Sequence, residues 1–169
     1  LVLRADPFSA GCILLPGCLV GAALAPVSGR LYDRLGAAKP LLVGSLCLLL
    51  SQVGYNLVLG TVGILGLTLV YMIFTVGQGL SAGNILTYAM GQLPAAIQPD
   101  GNAVCNTLQQ LAGAVGTAMA AALVAAGQQA GPDLSTGTSL GTAHAFILLL
   151  VLALCQGICI FWALKKGRR

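Results

Sequence analysis

The amino-acid sequence predicts an all-α fold, a polytopic membrane helix bundle with five transmembrane helices. Three observations carry this expectation. Only 7% of the 169 residues are charged, against about a quarter in an ordinary soluble domain, and mean hydropathy is +0.93. The few charges are bunched: no Asp, Glu, Lys or Arg occurs in 7–29, 40–99, 101–132 or 134–164. A helix crossing a bilayer core needs about 20 apolar residues. Three of these stretches hold one crossing each, and 40–99 holds two, divided near Gly60.

The first span is expected at 8–28. It is not a secretory signal peptide, since it lacks a basic n-region and a small-residue cleavage site and further spans follow. The chain opens with Leu1 rather than Met, so further sequence is expected upstream. A charged loop, 29–39, follows, with Gly29 and Gly36 bracketing it. The second span, 40–59, begins with Pro40, which suits a first helical turn. After a tight connection in "NLVLGTVG", the third span covers 62–83 and is extendable to 92. A second charged-side loop, 93–102, reads "LPAAIQPDGN", with two prolines and a Pro-Asp-Gly turn signal. The fourth span is 103–126. The segment 127–142, "GQQAGPDLSTGTSLGT", is expected as the only long polar loop, before a fifth span at 143–164.

Cation placement orients these spans. Arg30, Arg34, Lys39, Lys165, Lys166, Arg168 and Arg169 fall on one side, and Arg4 alone on the other. The positive-inside rule then places the N-terminus outside, the C-terminus in the cytoplasm, and the loop 127–142 outside. The terminal "KKGRR" reads as an anchor at anionic headgroups. The lipid bilayer is the expected partner, and no nucleic acid is.

No enzyme is expected: no Ser/His/Asp set or acid pair occurs, and the single histidine, His144, lies at the outer edge of the last span. The six cysteines, Cys12, Cys18, Cys47, Cys105, Cys155 and Cys159, show neither CxxC nor Cys/His metal spacing. Cys155 and Cys159 share a helix face that could hold a soft metal, but cysteines also serve as small residues in apolar helices. No metal and no cofactor are expected. No acid lies inside any span, so the titratable group that proton coupling usually requires is expected outside this chain.

Three groups of residues invite functional readings. Asp33 stands beside Arg30 and Arg34, a few residues before the helix that begins near Pro40. A helix N-terminus and a guanidinium both favour a carboxylate. The cluster is either a conformational latch (Gly29, Arg30, Asp33, Arg34, Gly36) or a positive-inside loop with an incidental acid. Thr68, Tyr71, Thr75 and Gln78 recur at i, i+3, i+7 and i+10 and share one helical stripe. They line a substrate cavity or form an interhelical hydrogen-bond seam. Gln52 and Asn56 are a similar pair, read as a seam. In the fourth span Gly113 and Gly116, among other small residues, are expected to pack against a neighbouring helix.

The motif "GRLYDRLGAAKPLL" resembles the loop signature G-x-L-x-D-R-x-G-R-K-x-x-L of the major facilitator superfamily. Gly29, Leu31, Asp33, Arg34, Gly36 and Leu41 or Leu42 stand for its members. It departs at Ala37 and Ala38, which suits the degraded copy in the C-terminal half. Residues 99–118, "PDGNAVCNTLQQLAGAVGTA", resemble the segment entering the penultimate helix of the fourteen-helix drug:proton antiporter branch. The pattern G-x-A-x-x-N-T-x-R/Q-Q-x-G-G-x-x-G is met at Gly101, Ala103, Asn106, Thr107, Gln109, Gln110, Gly113 and Gly116. The opening residues 5–31 are similar to that branch's "SPLQAG…LLPG…P…GRL". The resemblance implies the last five of fourteen helices, which would work with missing N-terminal helices in a multi-pass cell-membrane protein. It implies proton-coupled efflux of a small amphipathic substrate or drug by alternating access. A metabolite transporter of the same superfamily and a non-transporting or inactive remnant remain the alternatives.

Overall fold

The computed structural model describes residues 7–58 and 64–167, and within these the chain is helical without a strand. Helix α1 spans Pro7–Leu35, α2 Ala38–Val58, α3 Ile64–Met90, α4 Gln98–Ala130 and α5 Leu134–Lys166, with one 3-10 turn at Ala95–Ile97. All five are long and apolar enough to cross a membrane. The connection around Gly60, Arg4, Arg168 and Arg169 lie outside the described residues.

Helix α1 continues through most of the stretch expected as a loop, and only Gly36 and Ala37 separate it from α2. Nothing in "RLYDRL" breaks a helix. Gly36 does: its φ of +75° is a conformation L side chains rarely adopt. Its N–H donates to the Tyr32 carbonyl at 2.9 Å, closing the helix. Arg30, Asp33 and Arg34 therefore sit on the last turns of α1. Pro16 and Pro26 lie inside this helix, as membrane helices tolerate when neighbours satisfy the freed carbonyls.

The long polar loop expected at 127–142 is absent. Helix α4 runs to Ala130 and α5 starts at Leu134, so the two form a tight hairpin. Asp133 caps α5, its carboxylate accepting from the Thr136 N–H at 3.0 Å. The hydroxyls that suggested a loop bond back onto their own helix: Thr138 donates to the Leu134 carbonyl at 2.6 Å and Thr142 to that of Thr138 at 2.7 Å. Buried Gly127, Gly137 and Gly141 let the two backbones meet directly. A Cβ on Gly141 would lie 2.6 Å from Val124 Cα and 2.7 Å from the Leu123 carbonyl.

Helix α3 packs against both α1 and α2, and α5 against α2 and α4. At one end Leu41, Ile160 and Leu164 form a small buried cluster with Ala37, Ala38 and Tyr88. This end carries Arg30, Arg34, Lys39, Lys165 and Lys166. Further along α2 and α5, Tyr55 stacks on Phe146 with centroids 4.9 Å apart, and Asn56 donates to the Phe146 carbonyl at 3.4 Å. Large apolar side chains such as Leu19, Leu108, Val151 and Trp162 point outward. Lipid accepts such a surface where water does not, and the chain is a multi-pass membrane protein.

Candidate functional site

The latch residues occupy the basic end. Arg30, Asp33 and Arg34 are exposed, and a side chain at Gly29 would meet nothing within 4 Å. Arg34, in the last turn, complements the negative end of the α1 dipole. Asp33 opposes it. The expected support for Asp33 from the N-terminus of the following helix is corrected accordingly, because it belongs to the C-terminal turn of the preceding one. Among the described residues Asp33 makes no ion pair within 4.0 Å. It stands open at the water boundary, flanked in sequence by two guanidinium groups.

The stripe on α3 divides. The Tyr71 ring lies over Gly17 of α1, and its hydroxyl is 3.6 Å from Cys18 Sγ. Thr75 is buried; its Cβ would sit 3.6 Å from a Cβ on Gly21, and its hydroxyl donates to the Met72 carbonyl at 2.9 Å. Tyr71 and Thr75 thus make a seam with α1, while Thr68 is half-buried and Gln78 exposed. Farther along α3, Asn84 Nδ2 donates to Ser28 Oγ and to the Leu80 carbonyl, both at 2.9 Å. Asn84 and Ser28 are 5% and 4% exposed, so this pair is an interior link between α1 and α3. Neither residue stands out in the sequence.

The α2–α3 crossing is tight at Gly44 and Gly77. A Cβ on Gly77 would come within 2.8 Å of the Leu48 backbone nitrogen. Ser81 lies beside Gly44 there, and Ser81 Oγ and Gln52 Oε1 are buried without a partner. Gln52 is therefore not joined to Asn56 by its side chain; Asn56 Nδ2 instead donates to the Gln52 carbonyl at 2.8 Å.

On α4 no packing partner for Gly113 or Gly116 lies among the described residues. A Cβ on Gly113 or Gly116 would touch nothing within 4 Å. Close contact with α5 falls farther along, at Gly127, where the hairpin brings the backbones together. Asn102, Asn106, Gln109, Gly113 and Thr117 recur at helical spacing on one face, with Asn106 donating to Asn102 Oδ1 at 3.0 Å. Val104, Leu108, Leu111 and Val115 form the opposite, exposed apolar face. Helix α4 thus presents a polar, small-residue surface that no described helix covers at Gly113 and Gly116.

The comparisons with known proteins bear on this arrangement. Residues 2–117 match the model of the Major Facilitator Superfamily. The lincomycin resistance protein LmrB of Listeria innocua is 31% identical over 172 residues, covering 95% of this chain and 36% of that relative. LmrB of Bacillus subtilis is 33% identical over 128 residues, covering 76% of this chain and 26% of its own length. The uncharacterized MFS-type transporter YcnB of B. subtilis is 27% identical over 166 residues, 96% of this chain and 34% of YcnB. The chain spans about a third of the length of these curated relatives. No solved structure matches. With the matched region covering more than half of the sequence and five helices fit to cross a membrane, the chain belongs to the Major Facilitator Superfamily of transporters.

Proposed function

We propose that this chain supplies five helices to a transporter that exports drug-like amphipathic compounds, coupled to proton entry, by alternating access. The observation that carries the reading is its similarity, along 95% of its length, to a lincomycin resistance protein. The basic end, with Arg30, Arg34, Lys39, Lys165 and Lys166, faces the cytoplasm, and the Gly127–Gly141 hairpin faces outside. Gln78 and the polar face of α4 border the transport path, while Tyr71 and Thr75 hold α3 to α1 beside it. Asp33 and Arg34 form half of a latch. Its closing partner belongs to helices beyond this chain, since Asp33 is open and its own helix dipole disfavours it. The proton-coupling acid also belongs there, because the acids of this chain stand at helix ends or outside the spans.

A chimera tests this. The segment of B. subtilis LmrB that aligns with this chain is replaced by it, and the chimera is expressed in an efflux-deficient host. Lincomycin resistance above the empty-vector level is expected. A chimera that inserts in the membrane at the parent's level yet confers no resistance to lincomycin or other amphipathic drugs would defeat the reading and favour a metabolite transporter.

A further inference from the structure

A groove runs between α3 and α5 at the basic end of the bundle. It holds about 450 Å³, with Leu41 of α2 among its walls and Ile85, Tyr88 and Gln92 facing Cys159 and Ala163. The walls are hydrocarbon apart from Tyr88, Gln92 and the Cys159 thiol. The groove exists because α3 and α5 do not meet backbone to backbone there, and the small side chains of Ala89 and Ala163 leave the space between them open. Tyr88 bridges it, its hydroxyl donating to the Ala163 carbonyl at 3.2 Å. A helix with side chains is about 10–12 Å across, too wide for a slot that one tyrosine spans. A single hydrocarbon chain fits.

Charge identifies what such a chain carries. Lys166 lies seven residues past Cys159 and three past Ala163, on the face of α5 that lines the groove. Lys165 and Lys39 are exposed at the same end. The described charges there are Arg30, Arg34, Lys39, Lys165 and Lys166 against Asp33 and Asp100. From Cys159 to Lys166 the rise is about 10 Å, so a chain seated beside Cys159 brings its headgroup level with the lysines. We propose that this groove is a binding site for one anionic phospholipid, an acyl chain between α3 and α5 and the phosphate at Lys166. Basic pockets between helices near the cytoplasmic boundary are suited to such headgroups. The site requires that the helices cross the membrane and does not depend on the export reading.

The test uses the purified protein in detergent, titrated with palmitoyl-oleoyl-phosphatidylglycerol or the matching phosphatidylcholine and read by native mass spectrometry. One phosphatidylglycerol is retained in preference to phosphatidylcholine. Lys166→Gln lowers that preference about fivefold, the ratio given by ~1 kcal/mol per lysine at an anionic surface. Ala163→Leu, which fills the slot, reduces retention of both lipids. Alkylation adds a check that does not depend on a variant. Cys159 lines the groove, whereas Cys155, one turn away and also exposed, does not. Phosphatidylglycerol slows alkylation at Cys159 relative to Cys155. Equal retention of the two lipids, or a preference unchanged in Lys166→Gln, overturns the proposal. So does a Cys159 already blocked in delipidated protein, which would mean that another protein segment fills the slot. An inactive LmrB chimera that still retains phosphatidylglycerol would defeat the export reading and leave this one standing.

Discussion

Gly141→Ala tests whether the α4–α5 hairpin rests on direct backbone contact. The added Cβ would stand 2.6 Å from Val124 Cα, 2.7 Å from the Leu123 carbonyl oxygen and 2.8 Å from that of Val124, where ordinary contact begins at 3.4 Å. All three neighbours are backbone, so no flexible side chain can move aside and the helices must separate. Separation also stretches the 2.9 Å hydrogen bond from Gln128 Nε2 to Thr138 Oγ1. Overpacking of a close contact costs about 1–3 kcal/mol. Three backbone clashes put the cost at the upper end of that range, and alanine recovers about 0.8–1 kcal/mol of helix propensity over glycine, leaving a net loss of about 2 kcal/mol, or about thirtyfold in the folding equilibrium. The assay is unfolding of the purified protein in mixed micelles of increasing SDS fraction. Gly83→Ala is the control, because a Cβ there meets nothing within 4 Å. Gly83→Ala is expected to gain the helix-propensity increment; if Gly141→Ala matches the wild type or exceeds it alongside that control, the backbone-contact argument is wrong.

Other expectations can be checked in the same protein. Asp33→Asn, in the LmrB chimera, removes resistance without lowering the amount inserted in the membrane; undiminished export by that variant removes the latch. Asn84→Ala and Ser28→Ala, alone and combined, give a coupling energy of about 0.6 kcal/mol and at most ~1.7, the range of interhelical hydrogen bonds in membranes; strictly additive losses would contradict the buried link. The Thr136 hydroxyl and N–H hold the Asp133 carboxyl below its ordinary 3.8. A depressed carboxyl stabilises the fold above its unfolded value and loses that contribution as pH falls through the lower, folded one. The protection of the Thr136 amide, its exchange rate taken relative to the intrinsic rate at the same pH, is therefore steady above about pH 4 and falls in more acidic buffer, and Asp133→Ala removes the dependence. Protection that does not change with pH in the wild type would exclude the cap.

The number of helices and the position of each apolar core were legible because the signal is solvent itself: a run without charges has nowhere stable but lipid. The connections were less so. Gly36 marked its turn correctly, since its positive φ is a local demand of the chain. The hydroxyls of 127–142 misled, because Thr138 and Thr142 can satisfy themselves on their own helix and then look no different from loop residues. Partners were hardest to read. Ser28 and Asn84 are single polar residues in apolar runs, and only the relative rotation of α1 and α3 brings them together. The small residues of α4 were visible as a stripe, yet a stripe does not name its neighbour: Gly127 meets α5, while Gly113 and Gly116, on the same helix, meet nothing among the described residues. Asp33 was legible as an unusual acid, and its position on α1 became clear only when the helix was seen to continue to Leu35.

Sidedness is the claim on which the transport reading depends, and cysteine accessibility measures it directly. In a background without the six native cysteines, Leu35→Cys at the basic end and Ser135→Cys at the hairpin are labelled in intact cells with a membrane-impermeant maleimide. Both positions are exposed. The account predicts that Ser135→Cys reacts from outside and that Leu35→Cys reacts only after permeabilisation. Reaction of Leu35→Cys in intact cells, with Ser135→Cys protected, would contradict it.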